Sequence, residues 1–164
     1  MKNLVWIALG MMAQAPAQAA PAAPAVALQS GLAAYAAADY RAARHALRPL
    51  ADRGSAIAET LLGVMSATGQ GGAADPATAV GWWLRAANRG YGPAQLAMAK
   101  ALAAGRGVPQ DRGQAWVWAR LAASAGNGTA AEAVALANSL GRGLSATTLA
   151  KLDAERAAWR PWSG

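Results

Sequence analysis

An all-α fold, a short α-solenoid of antiparallel helix pairs, is predicted by three observations. The first is an internal repeat. Residues 55–90 align on 91–126 without a gap, a period of 36 residues (91 − 55). Ala58 falls on Ala94, Gly69 on Gly105, Gly71 on Gly107 and Asp75 on Asp111. Trp82 falls on Trp118, Ala86 and Ala87 on Ala122 and Ala123, and Gly90 on Gly126. A fixed period of this size marks stacked units in which each touches only its neighbours. The second observation is apolar residues at helical spacing within each copy, divided by a glycine-rich break. The third is composition: alanine supplies nearly a third of the chain, phenylalanine is absent and β-branched residues are few. Alanine is the best helix former, and its small side chain lets helices approach closely.

Taken in order, the elements follow from local chemistry. Residues 1–19 read as a secretory signal peptide: Lys2, an apolar run Leu4–Met12 too short to span a bilayer, and Ala17-Gln18-Ala19 as a small-x-small cleavage site. Retention as a short anchor is the alternative. Residues 20–25 (APAAPA) are expected to be an extended Pro/Ala linker. A single helical-repeat domain is then expected over 26–164. Its first unit, 26–54, carries Leu28, Leu32 and Tyr35 on one helix face, and Asp39 to cap a second helix that Pro49 should kink or end. In the second unit, 55–90, Gly69 should stop helix A, and Asp75 followed by Pro76 should open helix B, whose buried stripe is Ala79, Trp82, Trp83, Ala86 and Ala87. In the third, 91–126, Pro93 opens helix A, Gly105 stops it, and Asp111 with Gln114 forms a capping box ahead of the stripe Ala115, Trp118, Ala119, Ala122 and Ala123. The tail, 127–164, reads as an incomplete repeat and a capping helix. Thr129 with Glu132 resembles a second capping box, and Ser145 caps a helix holding Leu149, Leu152 and Trp159.

The run Ala58, Gly63, Gly69, Gly71, Asp75, Ala79, Trp82, Ala86, Ala87, Gly90 resembles the Sel1-like repeat, a relative of the tetratricopeptide repeat. The loop Gly105-Arg106-Gly107-Val108-Pro109-Gln110-Asp111 is nearly that family's signature loop, and Trp118, Ala122, Ala123 and Gly126 complete the second copy. The resemblance implies an exported bacterial protein of this type, with flanking helices at both ends. Two positions depart: the helix-A aromatic is Ser66 and Leu102, and the helix-A glycine, kept as Gly63, is Ala99 in the other copy. The cysteine pairs of some secreted members are missing, which sets this chain apart from the members for which β-lactam binding is proposed.

The chemistry of the side chains favours binding over catalysis. There is no cysteine, which removes thiolate ligands and thiol nucleophiles. His45, the one histidine, sits in an arginine-rich helix and reads as a surface residue. The acids do not pair as two carboxylates facing one substrate would, and no metal-ligand spacing or cofactor motif occurs. The glycine loops lack a Gly-Lys-Ser/Thr ending and read as helix stops. No enzyme, cofactor or metal is expected. The formal charge of +7 comes from dispersed arginines without a basic run. It suits general solubility, or an acidic protein or anionic envelope polymer, better than nucleic acid, which an exported protein rarely meets. The leading expectation is a protein or peptide partner, bound in the periplasm or outside the cell on a soluble scaffold. The positions that differ between repeats are its candidate contacts: Glu59, Thr60, Gln95 and Lys100, with Trp116 either packing or anchoring a partner. A binder or hydrolase of cell-wall material is the alternative from another class.

Overall fold

The computed structural model describes residues 23–126 and 128–162. Eight helices and no strand occur among them: α1 (Ala23–Ala36), α2 (Tyr40–Asp52), α3 (Ala56–Thr68), α4 (Pro76–Asn88), α5 (Gly92–Ala104), α6 (Arg112–Ser124), α7 (Ala130–Gly141) and α8 (Ala146–Ala158). They stack as the antiparallel pairs α1/α2, α3/α4 and α5/α6, followed by α7 against α6. The expected signal peptide lies outside the described residues. Of the expected linker, Ala23 onward already belongs to α1. Pro24 is tolerated there because the first turn of a helix has no partner for its N–H groups.

The caps set the register. Asp39, Asp75 and Asp111 each accept a hydrogen bond from the backbone N–H three residues on, at 3.0, 3.0 and 2.9 Å. All three stand at the repeat period, as do the fully buried Ala43, Ala79 and Ala115. The first pair is therefore a degenerate unit in register with the two clear repeats. Ser55 and Ser145 cap α3 and α8 in the same way, and Gly69 and Gly105 end α3 and α5 in the left-handed conformation. The glycines two residues further on seal one unit against the last. Gly71 (φ 76°) packs on the Tyr40 carbonyl and Gly107 (φ 73°) on the Pro76 carbonyl, and Tyr40 and Pro76 are themselves one period apart.

Three expectations are corrected. Pro49 does not end α2; the helix continues to Asp52. The one lost hydrogen bond is to the His45 carbonyl, on a face where His45 and Pro49 are both exposed and water can replace it. Thr129 does not cap α7 through its side chain, and Glu132 instead pairs with Lys100. Trp82 and Trp118 are half-buried lids, because alanines take the innermost places of the B helices and an indole is too large for them. Arg48 and Arg85 lie over the Trp82 ring at 5.1 and 4.9 Å, while Trp159 meets Trp118 edge-on at 6.3 Å. The capping helix α8 lies against α6. Beyond its end Pro161 lies beside Gly90, and the Trp162 N–H donates to the Asn88 carbonyl at 2.7 Å.

Candidate functional site: the groove of the A helices

The odd-numbered helices α3, α5 and α7 line a groove of about 440 Å³. Its walls are small and mostly apolar: Val64 and Ala67 from α3, and Leu96, Ala97 and Ala101 from α5. Small side chains at these places keep the walls low. Trp83 reaches the groove from α4 because Gly63 leaves it room; a Cβ on Gly63 would overlap the indole. The indole N–H then donates to the Thr60 carbonyl at 3.3 Å. In the next unit the same two places hold Ala99 and Ala119, so a large–small pair is replaced by two small residues. The departure Gly63/Ala99 is thus half of a packing exchange, and its consequence is one aromatic ring at one end of the groove.

The polar groups sit at the rim. Thr60 donates its hydroxyl to the Ala56 carbonyl at 2.7 Å. Lys100 on α5 and Glu132 on α7 pair at 2.7 Å across the groove wall, both about half exposed. Arg106, in the α5–α6 loop, completes the lining.

Of the five residues expected to meet a partner, Thr60 and Lys100 line this groove. The other three are buried. Trp116 is 9 % exposed and packs into the core near Gly141 and Leu152, with Arg120 over its ring. Glu59 and Gln95, one period apart, are 0 % and 2 % exposed. The difference between them is structural and concerns the end of the preceding B helix, whose last carbonyls have no partner within the helix. Gln95 donates to one of these, the Ala87 carbonyl, at 3.2 Å. A carboxylate cannot donate, so in the unit before, Arg85 donates to the corresponding Ala51 carbonyl at 2.9 Å. Arg85 also pairs with Glu59 at 3.0 Å, and Arg89 approaches the other carboxylate oxygen at 3.8 Å. The positions of Arg85 and Arg89 are Leu121 and Ala125 in the next unit. Glu-Arg-Arg and Gln-Leu-Ala are two solutions to one packing problem. Sequence comparison of the repeats saw only the Glu/Gln difference; the matched Arg/Leu and Arg/Ala exchanges are the signal that it is an interior one.

Burial raises the pKa of Glu59, against the opposing pull of Arg85 and Arg89. The folded protein therefore holds the Glu59 proton to higher pH than the unfolded chain does. The stability this confers is complete below the unfolded value, about pH 4.3 for a free glutamate, and is lost as pH rises through the raised folded value. We expect Glu59→Gln to flatten the pH dependence of unfolding across that window, measured by urea titration followed by circular dichroism. An unchanged slope would mean that Glu59 titrates normally.

The repeats of this chain match those of known proteins. The model of the Sel1 repeat family matches residues 56–91 and 92–127. The chain carries two Sel1 repeats. Two solved structures share its fold. One is c5321, a protective antigen of uropathogenic Escherichia coli with an SLR fold, at TM-score 0.76 and 22 % identity over 84 % of this chain. The other is a Sel1 repeat protein from Oxalobacter formigenes, at TM-score 0.66 and 24 % identity over 79 % of this chain. This chain covers 30 % and 55 % of the length of those two proteins. No curated protein matches it. Sel1 repeats generally mediate protein–protein interaction, and their fold is typically a non-catalytic scaffold. Among the described residues no group of histidine, cysteine and acidic side chains could hold a metal ion. No helix among them is long and apolar enough to cross a membrane.

Proposed function

We propose that this protein is a non-catalytic scaffold of the bacterial envelope that receives a protein or peptide segment in the groove of α3, α5 and α7. The groove itself carries the reading: an apolar trough with one aromatic ring, flanked by rim charges, suits an extended or helical segment with apolar anchors. The amino-terminal pattern of Lys2, an apolar run and Ala17-Gln18-Ala19 supports export to the periplasm or beyond. A photo-crosslinking residue at Ala97, inside the groove, should yield a discrete protein adduct in the source cells. The same residue at the exposed Ala150 of α8 should not. Equal labelling from both positions would defeat the groove as the binding site.

The overall positive charge supports a second reading, capture of anionic envelope polymer. Salt separates the two. Attraction carried by exposed charges falls steeply as the screening length shortens, whereas an apolar groove retains most of its affinity.

A further inference from the structure

A second cavity, of about 410 Å³, opens beside the even-numbered helices, and no part of the groove contributes to it. It is lined by Arg44, His45, Arg48 and Pro49 of α2, Leu62 of α3 and Trp82 of α4. Three of the six can carry positive charge, and no carboxylate lines the cavity.

The arginines are held in place rather than free. The Arg44 Nε–H donates to the Gln70 carbonyl at 2.8 Å, which leaves the two terminal nitrogens of its guanidinium for a ligand. Arg48 is fixed by Asp52, 3.2 Å from its Nε, and by the Trp82 ring. Asp52 offsets part of the Arg48 charge, so Arg44 supplies most of the field. Arg44 and Arg48 lie one helical turn apart on the same face of α2, where one or two oxyanions could bridge them. A guanidinium already immobilised loses less entropy when it binds.

The repeat shows that packing does not need these side chains. One period along, Arg44, His45 and Arg48 correspond to Val80, Gly81 and Leu84, while Trp82 corresponds to Trp118. The unit is built equally well without the cations; the indole is what recurs.

We propose that this cavity binds an acidic peptide segment: an aspartate or glutamate on the Arg44 and Arg48 guanidiniums, beside an apolar side chain on Pro49, Leu62 and Trp82. The apolar half of the lining is what favours a peptide over a bare polyanion, which would leave that half unused. The site is separate from the groove and does not depend on the function proposed for it.

The test is a titration of the purified protein followed through the Trp82 indole N–H resonance. The probe is a short glutamate peptide carrying one central leucine, compared with the same peptide in lysine and with inorganic phosphate. The glutamate–leucine peptide should shift the resonance saturably, and the lysine peptide should not. The double variant Arg44→Val, Arg48→Leu borrows the residues of the next unit and so keeps the fold. It should weaken binding by about tenfold or more, the worth of one lost charge-assisted hydrogen bond. Arg48→Lys, which keeps the charge without the fork, should fall between. The proposal is overturned if the Trp82 resonance does not move, if phosphate saturates the site as tightly as the peptide, or if the double variant binds as the parent does.

Discussion

Replacing Arg85 with leucine should destabilise the protein by about 2–3 kcal/mol, more than its half-exposed position suggests. Its partner Glu59 is fully buried. Removing one member of a buried ion pair leaves a charge without compensation and commonly costs about 3–5 kcal/mol. The lower figure is expected here because Arg89 remains 3.8 Å away and Arg85 is itself partly solvated. The loss should be largely recovered in Glu59→Gln with Arg85→Leu, since glutamine and leucine are what the next unit carries as Gln95 and Leu121. In that background the glutamine introduced at position 59 can donate to the Ala51 carbonyl as Gln95 does to Ala87. Denaturant unfolding of the parent, both single variants and the double variant gives the coupling directly. Additive effects would show that Glu59 and Arg85 do not form the unit described.

The second large effect is expected at Gly107. A Cβ there would overlap the backbone carbonyl of Pro76, in the preceding helix pair, and φ is 73°. The left-handed conformation alone costs an alanine about 1–2 kcal/mol. The contact adds to this because a backbone carbonyl, unlike the end of a long side chain, cannot move aside without displacing its helix. Gly107→Ala should therefore lower stability by more than about 3 kcal/mol. Gly72→Ala is the control, since nothing lies within 4 Å of its Cβ position. It should be neutral or stabilising by a few tenths of a kcal/mol through the unfolded chain. Equal melting temperatures for the two variants would refute the sealing role of Gly107.

The fold was legible because its determinants are local. An aspartate three residues ahead of the N–H it caps, and a glycine where the chain turns left-handed, act within one turn of helix. Asp75, Asp111, Gly69 and Gly105 could be read without knowing what they pack against. Pro49 was misread because its effect depends on which side of the helix loses the hydrogen bond. The rest depends on contacts between units. Glu59 and Gln95 look like surface residues by type, and only Arg85 and Arg89 facing the one and the Ala87 carbonyl facing the other explain why the interior accepts them. The groove was half legible: Thr60 and Lys100 line it, but the entry of Trp83 through the gap at Gly63 needed three dimensions. The departure of α8 from the repeat was readable, whereas its seat on α6 was not.

The exchange of Gly63 and Trp83 for Ala99 and Ala119 bears on how such a chain can grow. Each couple lies on the two helices of one unit, as does the pair Glu59 and Arg85, with Arg89 at the cap of α4. A gene duplication whose breakpoints fall at the start of helix A copies every couple intact, and the new unit packs at once. A crossover in the loop between helices A and B would join the Trp83 helix to the Ala99 helix, forcing an indole against a methyl. The heritable module of this protein is thus the whole helix pair, bounded just ahead of Ser55 and Tyr91, and recombination elsewhere would be purged by packing alone.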